Sequence, residues 1–267
     1  MQDLTCAIPT FDDDPLVLER VLEAALPQLE RPPVVVDMSR GDGVRRVVER
    51  AAVEYVAYPE SRGLSASRNE ALRRCETRYL LFLDADAVPA AGWATAMRAG
   101  FEQERVGIVG ARVVPDWQGR RPVLFGSATA GDWLSLLDLG NEPREVPRVV
   151  GTSFALDRER LGELRFDERL GRQPGVATGQ EEVAFALAAA DAGWRCWYAA
   201  GARVRHQIPA SRANWRWMLR RAFTAGRESR LPSAQSLEPM PRTFTARDHL
   251  FRALVAPAFL AGRARGA

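Results

Sequence analysis

Two aspartates one residue apart, Asp84 and Asp86, follow directly on the apolar run Tyr79-Leu80-Leu81-Phe82-Leu83. Such a run suits a strand covered on both faces. Its exit then concentrates two carboxylates at the edge of the core, which is costly unless a cation neutralises them. Hard oxygen ligands of this kind suit Mg2+ or Mn2+, ions that keep positions open for phosphate oxygens. The plainer reading is that one aspartate caps the next helix while the other is solvated. An EF-hand is excluded, because the sixth position of such a loop is Pro89, not glycine. Other polar residues recur at the ends of apolar runs: Pro9-Thr10-Phe11-Asp12, Asp37-Met38-Ser39, and Asn69 four residues after Ser65. For Thr10 and Asp37 the plainer reading is turn and cap chemistry.

The elements that must carry these residues can be read from periodicity. Strands are expected over Leu4–Thr10, Val34–Asp37, Val53–Ala57, Tyr79–Leu83 and Val106–Val114. Between them, helices are expected over Asp14–Leu26, around Val44, Val47 and Val48, and over Leu64–Cys75. Repeated βα units imply an α/β fold, a Rossmann-like, mostly parallel sheet with helices on both faces. Ligands bind beyond the carboxyl ends of strands in such a sheet, which would gather the polar exits into one cleft. After Pro115 the rhythm breaks, and residues 116–146 read as a loop or lid around Trp133–Leu139. A strand over Arg148–Leu156, a helix over Gly179–Ala192, a strand over Trp194–Ala199 and a helix over Asn214–Gly226 complete the expectation. The last helix mixes Trp215 and Trp217 with Arg216, Arg220, Arg221 and Arg227. Phosphate or sugar recognition and a plain amphipathic helix are both open to it.

Composition narrows the chemistry further. The 267 residues are 46% hydrophobic and 27% charged, enough for a proper core. All 37 basic residues are arginines, which removes the GxxxxGK phosphate loop, the Schiff-base lysine and the kinase lysine. Against 34 acids they leave a net charge of +3, so nucleic acid is not expected as a partner. Cys6, Cys75 and Cys196 lie far apart without CxxC spacing, which points to a reducing compartment. No basic leader precedes the first strand and no apolar run reaches the ~20 residues of a membrane span, so a cytoplasmic place is expected. The apolar stretch Leu250–Leu260 is expected either to pack on the sheet or to lie on an anionic membrane through Arg252, Arg263 and Arg265, at the membrane's inner face.

Taken in order, Ile8-Pro9-Thr10-Phe11, Val35-Val36-Asp37-Met38-Ser39, Arg62-Gly63-Leu64-Ser65-Ala66-Ser67-Arg68-Asn69 and Phe82-Leu83-Asp84-Ala85-Asp86 resemble the family 2 glycosyltransferases of GT-A fold. The resemblance continues through Gly151-Thr152-Ser153-Phe154-Ala155-Leu156, Phe166-Asp167-Glu168, Gly179-Gln180-Glu181-Glu182 and Val204-Arg205-His206, and covers roughly residues 4–230. It implies an inverting transfer from a nucleoside-diphosphate sugar, with UDP the commonest base. The acceptor would be an envelope glycan, a lipid-linked saccharide or a small metabolite. Pro9, Thr10, Phe11, Asp37, Ser39, Arg68, Asn69, Asp84, Ala85 and Asp86 would line the donor site. Asp86 and His206 would hold Mn2+ or Mg2+, and Gly151, Thr152 and Arg212 would face the acceptor or diphosphate. Glu182, with Glu181 second, would be the base that takes the acceptor hydroxyl's proton; helix N-termini also favour acids for dipole reasons alone. The sequence departs from the family pattern at Ala184 and Ala188, where an acid and an arginine are usual. By the same resemblance residues 1–115 form the nucleotide-sugar half, 116–208 the acceptor and catalytic half, and 209–267 a C-terminal helical extension.

Two readings of other classes compete. Gly63-Leu64-Ser65-Ala66-Ser67 nearly matches the GxSxG of a serine hydrolase but lacks the final glycine and the sharp strand-to-helix elbow. A non-catalytic sugar-nucleotide or glycan-binding module would need the donor residues but neither acidic pair. Dinucleotide binding fails, since Arg46 stands where the third glycine after Gly41-Asp42-Gly43 belongs.

Overall fold

A computed structural model of the chain describes residues 3–58, 63–173, 176–177, 179–236 and 238–265, without the side chains of 172, 173, 176 and 177. Arg62, part of the third motif, lies outside the described residues. The first half alternates as the sequence implies: β1 (Leu4–Thr10), α1 (Pro15–Ala25), β2 (Val34–Asp37), α2 (Gly43–Ala51), β3 (Glu54–Ala57), α3 (Leu64–Arg74) and β4 (Tyr79–Leu83). Then follow β5 (Ala87–Pro89), α4 (Trp93–Ala99), β6 (Val106–Trp117), α5 (Ala128–Trp133), β7 (Arg144–Val146), β8 (Ser153–Asp157) and α6 (Arg158–Leu161). The remainder comprises β9 (Arg172–Gln173), β10 (Val176–Ala177), α7 (Glu181–Asp191), β11 (Arg195–Ile208), α8 (Trp215–Glu228), α9 (Pro232–Gln235) and α10 (Ala246–Arg265).

Nine strands form one sheet in the order β3-β2-β1-β4-β8-β6-β11-β5, with β7 also paired to β11. β1, β2, β3, β4, β6 and β11 point one way; β8 runs against its neighbours β4 and β6, and β5 and β7 run against β11. Because β2 follows β1 on one side and β4 lies on the other, the strand order reverses at β1, the place where such sheets bind ligands. The β1–β4 register runs out at Ala7–Phe82, while β1 stays paired with β2 to Thr10–Asp37. A crevice therefore opens between the ends of β1 and β4, and Pro9, which has no N–H for a ladder, stands at its wall. The start of α1 has a local cause. In α1 the Asp14 carboxylate accepts the Leu16 N–H at 2.9 Å and Pro15 takes the first helical position. Leu18, Val21, Leu22 and Ala25 then form its buried stripe.

The second half departs from expectation in several places. β6 does not stop at Pro115 but pairs with β11 as far as Trp117–Ile208, since Pro115 lies past the last β6–β8 pair, where a missing N–H interrupts no second ladder. Residues 116–146 are not a lid: Phe125, Ala130, Leu134, Leu136 and Leu137 are buried, and Leu137 bridges Val113. The strand expected from Arg148 begins only at Ser153, because Gly151 and Thr152 turn beneath the end of β4, where the Asp84 N–H donates to the Thr152 carbonyl at 2.9 Å.

Candidate active site

The crevice at the strand ends is laced by its own polar residues. Asp37 is buried; its Oδ1 accepts from Thr10 Oγ1 and Ser39 N, both at 2.9 Å, and its Oδ2 from the Tyr55 hydroxyl at 2.9 Å. Tyr55 was not singled out from sequence. Its phenol is pushed up to about 12 by burial, then by the bond to Asp37. Ser39 Oγ in turn accepts the Asp12 N–H at 2.8 Å, so the ends of β1 and β2 are held as one wall. Phe11 projects from that wall, half exposed.

Asp84 and Asp86 leave β4 on the opposite wall with Ala85 buried between them. The Asp86 carbonyl accepts the Gln207 N–H at 2.9 Å, and His206 sits opposite Ala87, which brings the imidazole to the carboxylate. His206 Nδ1 lies 3.0 Å from the Leu134 carbonyl oxygen, an acceptor only, so Nδ1 carries the proton. In the neutral ring the Nε2 lone pair then faces Asp86 Oδ1 at 3.3 Å. Two acceptors at that distance call for a cation: a second proton on the ring, or a metal. Arg212 adds a guanidinium 3.9 Å from Asp86 Oδ2. Among the described residues no three His, Cys, Asp or Glu side chains gather as a metal cage. Asp86 and His206 would together supply two ligands, a set that fits a hard divalent ion taking the rest from phosphate and water.

A third carboxylate escaped the sequence reading. Asp13 is raised to about 6 by burial, with the charges of Asp86 and Asp84 adding to the shift and the Phe11 N–H bond and Arg212 opposing it. It faces the Asp84–Asp86 wall from the β1 side. Nothing in the triplet Asp12-Asp13-Asp14 marks the middle residue as different; only the fold separates a strand exit, a cleft carboxylate and a helix cap.

Arg68 is not offered to a ligand. Its side chain is 1% exposed and its guanidinium carbon lies 5.1–5.8 Å from the ring centres of Phe82, Phe154 and Phe166. Nη1 donates to Glu181 Oε1 at 2.7 Å and Nη2 to the Gly151 carbonyl at 3.1 Å, with Asp84 Oδ1 4.0 Å away. Gly151 permits this approach, since a Cβ there would come within 3.0 Å of Nη2. The expected direct donor contact of Arg68 is thus corrected: its charge is spent joining the two acidic pairs. Asn69 is corrected likewise. Its Nδ2 donates to the Phe166 carbonyl at 2.9 Å and to Glu168 at 3.1 Å, and its Oδ1 accepts the Phe166 N–H at 2.9 Å, so it pins the Phe166 segment. Ser65 is buried and donates to the Leu170 carbonyl at 2.7 Å, a backbone partner where a hydrolase would need a base.

Glu181 and Glu182 open α7, where the helix dipole favours acids. Glu181 is buried and paired with Arg68. Glu182 is half-buried, and its carboxyl is pushed up by burial and then by the Glu181 charge, against the opposing charges of Arg68 and Arg148. The turn before them depends on a residue far along the chain. Buried Glu228 of α8 accepts the Gly179 N–H on Oε1 at 2.7 Å and Arg221 Nη1 on Oε2 at 2.9 Å.

A reversed strand order with polar strand exits and an Asp-x-Asp wall beside a histidine defines a ligand crevice of the open α/β type. The family model described as "Glycosyl transferase family 2" matches residues 5–164, and the chain belongs to that family. It is 28% identical over 174 residues to a pre-mycofactocin glycosyltransferase of Mycobacterium tuberculosis, covering 65% of this chain and 36% of that protein. It is 26% identical over 178 residues to a glucosyl-dolichyl phosphate glucuronosyltransferase of Haloferax volcanii, covering 64% and 56%. The chain thus spans between about a third and somewhat over half of these curated relatives. Among solved structures it is similar to a mannosyltransferase from Pyrobaculum calidifontis in complex with GDP-Man and Mn2+, with a TM-score of 0.63, 22% identity, and coverage of 98% and 74%. The fold is GT-A.

Proposed function

We propose that this protein transfers a sugar from a nucleoside-diphosphate sugar, a UDP-sugar by family frequency, to an acceptor hydroxyl with inversion. The observation that carries the reading is the facing pair of acceptors, Asp86 Oδ1 and His206 Nε2 at 3.3 Å, at the mouth of the crevice where β1 and β4 part. Asp86 and His206 would hold Mn2+ or Mg2+, which supplies neutralising charge for the departing diphosphate. Thr10, Asp37 and Ser39, with Pro9 and Phe11, form the nucleoside wall. Asp84 and Ala85 face the ribose or sugar, while Gly151, Thr152 and Arg212 border the diphosphate and acceptor. Glu182 takes the proton of the attacking hydroxyl, and Arg68 holds Glu181 in place beside it. The acceptor has room nearby. A cavity of about 760 Å³ lies between the far end of β6, at Pro115 and Trp117, and the segment bearing Arg242 and Arg247. Trp117 Nε1 and Arg242 Nε there are buried N–H groups without a hydrogen-bond partner, suited to an oxygen-rich ligand.

The first test is thermal stability with UDP, GDP, dTDP and CMP, each with and without Mn2+. One nucleoside diphosphate should stabilise the protein only with the metal, by about 2.7 kcal/mol at a hundredfold excess over Kd, and Asp86→Ala should abolish that increment. Absence of any metal-dependent shift would overturn the reading.

A further inference from the structure

The net charge of +3 hides a division of the chain. Residues 209–267 hold eleven arginines against three acids, whereas residues 1–208 hold 26 arginines against 31 acids. Much of the C-terminal excess lies on the paired helices α8 and α10. One face of α10 is used up in that pairing. A Cβ on Gly262 would come within 1.9 Å of the Phe223 carbonyl oxygen, and one on Gly226 within 1.9 Å of that of Phe259, so the two backbones touch. Phe251 and Val255 are buried on the same side, with Phe251 against Phe125, Trp133 and Trp215.

The other face looks outward and is apolar along its length. Leu250, Leu254 and Leu260 are 53%, 49% and 60% exposed, and Ala253, Pro257 and Ala261 beside them are exposed as well. With 3.6 residues per turn, Leu250, Leu254, Pro257 and Ala261 fall within roughly a sixth of the helix circumference. Arg247 and Arg265 border this strip on one side, while Arg252 and Arg263 lie toward the opposite side of the helix, roughly a third of a turn beyond the strip's other edge; all four are exposed. The one acid of the helix, Asp248, is buried and engaged by Thr245 and the Ala128 N–H, so the outward surface of α10 carries no carboxylate.

We propose that this face of α10 lies flat on an anionic lipid bilayer, its leucines at the headgroup–acyl boundary and its arginines on the lipid phosphates. Three observations choose this occupant. An apolar strip with arginines along one border, in an extension holding eleven arginines against three acids, matches a surface that is apolar below and uniformly anionic above. The acidic remainder of the chain is repelled by the same surface, which orients the molecule with its helical extension toward the lipid. Among the described residues no helix is long and apolar enough to cross a membrane, so the contact is interfacial. This inference stands apart from the reaction proposed above.

The test is flotation of the whole chain with vesicles of phosphatidylcholine alone and of equal parts phosphatidylcholine and phosphatidylglycerol. Binding is expected to the mixed vesicles only, and to weaken as salt rises. Leu250→Ser with Leu254→Ser should lower partitioning by more than about tenfold, and Arg265→Gln by about fivefold. Unchanged melting temperatures would show that both variants fold, since every substituted residue is exposed. Equal binding to neutral vesicles, no binding, or unaltered binding by the leucine variant would each overturn the proposal. So would a dimer in solution that the leucine variant dissolves, which would give the face to a second copy.

Discussion

Asp84 and Asp86 leave the end of a five-residue buried strand, whereas Glu181 and Glu182 open a helix whose first turn hangs on side chains 113 and 49 residues away in sequence. The first pair is placed by backbone: the Asp84 N–H on Thr152 and the Asp86 carbonyl on Gln207 fix both residues whatever their side chains do. The second pair is placed by charge, through Arg68 on Glu181 and Glu228 on the Gly179 amide. The two pairs also differ in what surrounds them. Asp86 stands beside the His206 imidazole and the Arg212 guanidinium, while the carboxyl of half-buried Glu182 is pushed up by burial and then by the Glu181 charge. A carboxylate beside an imidazole suits a metal site, and a carboxyl whose hold on its proton is strengthened suits a general base.

Removing the base sharpens the contrast most. Glu182→Gln should cut transfer by about 10²–10⁴-fold while leaving metal-dependent nucleotide stabilisation intact. In the native protein the Glu182 carboxyl is pushed up to about 7, so the transfer rate should climb as pH rises through that value and level off above it. Stability should run the other way. A carboxyl whose folded pKa lies above its unfolded one contributes fully below the unfolded value and loses that contribution as pH rises through the folded value. Melting temperatures of native protein and Glu182→Gln should therefore diverge between pH 5 and pH 8, about, with the variant gaining at the alkaline end. Full activity in the glutamine variant would hand the role to Glu181.

Next in size is the remote support. Glu228→Ala leaves the Gly179 N–H without its acceptor and the turn before Glu181 without its anchor. The expected result is a loss of about ten- to a hundredfold in kcat with the donor KM unchanged, since displacement of a reacting group is punished steeply. Amide exchange at Gly179–Glu182 should quicken in step. Glu228→Gln, which keeps an Oε1 acceptor, should restore most of the rate. Equal losses in both variants would mean that the negative charge, not the bond, matters.

That contrast also explains what the sequence disclosed. β1, β2 and β4 were legible to the residue, because short apolar runs ending in polar residues reflect only local burial. The Asp84 and Asp86 exit, Thr10 and Asp37 came with them, whereas His206, expected to follow a strand, lies within β11. Tyr55, Asp13 and Glu228 were not legible, since each acquires its place from a partner brought near by folding: Asp37, the β4 exit and Gly179. Arg68 and Asn69 were located in the right region but given the wrong partners, because a motif shows that a cation or an amide is needed and not which group consumes it. The stretch 116–146 misled for a related reason. Its Gly, Pro and charges read as a loop, yet about half of its apolar residues are buried, and spacing alone does not reveal that β11 waits to pair with β6 beyond Pro115.

The smallest effect belongs to the residue that tempted the hydrolase reading. Ser65 sits in the first turn of α3 with its hydroxyl on the Leu170 carbonyl, in the segment that leads toward α7. Gly171 packs so closely on it that a Cβ there would come within 2.8 Å of Ser65 Oγ, so the side chain fills its space completely. Ser65→Ala removes one hydroxyl and leaves the carbonyl short of a donor, a cost of about 1 kcal/mol in stability. The rate of sugar transfer should stay within about twofold of native, since none of the reacting groups has moved and the transition state has lost no partner. Loss of activity on the scale of Glu182→Gln would place Ser65 in the chemistry after all and make the two acidic pairs bystanders, the outcome that would undo the comparison at its root.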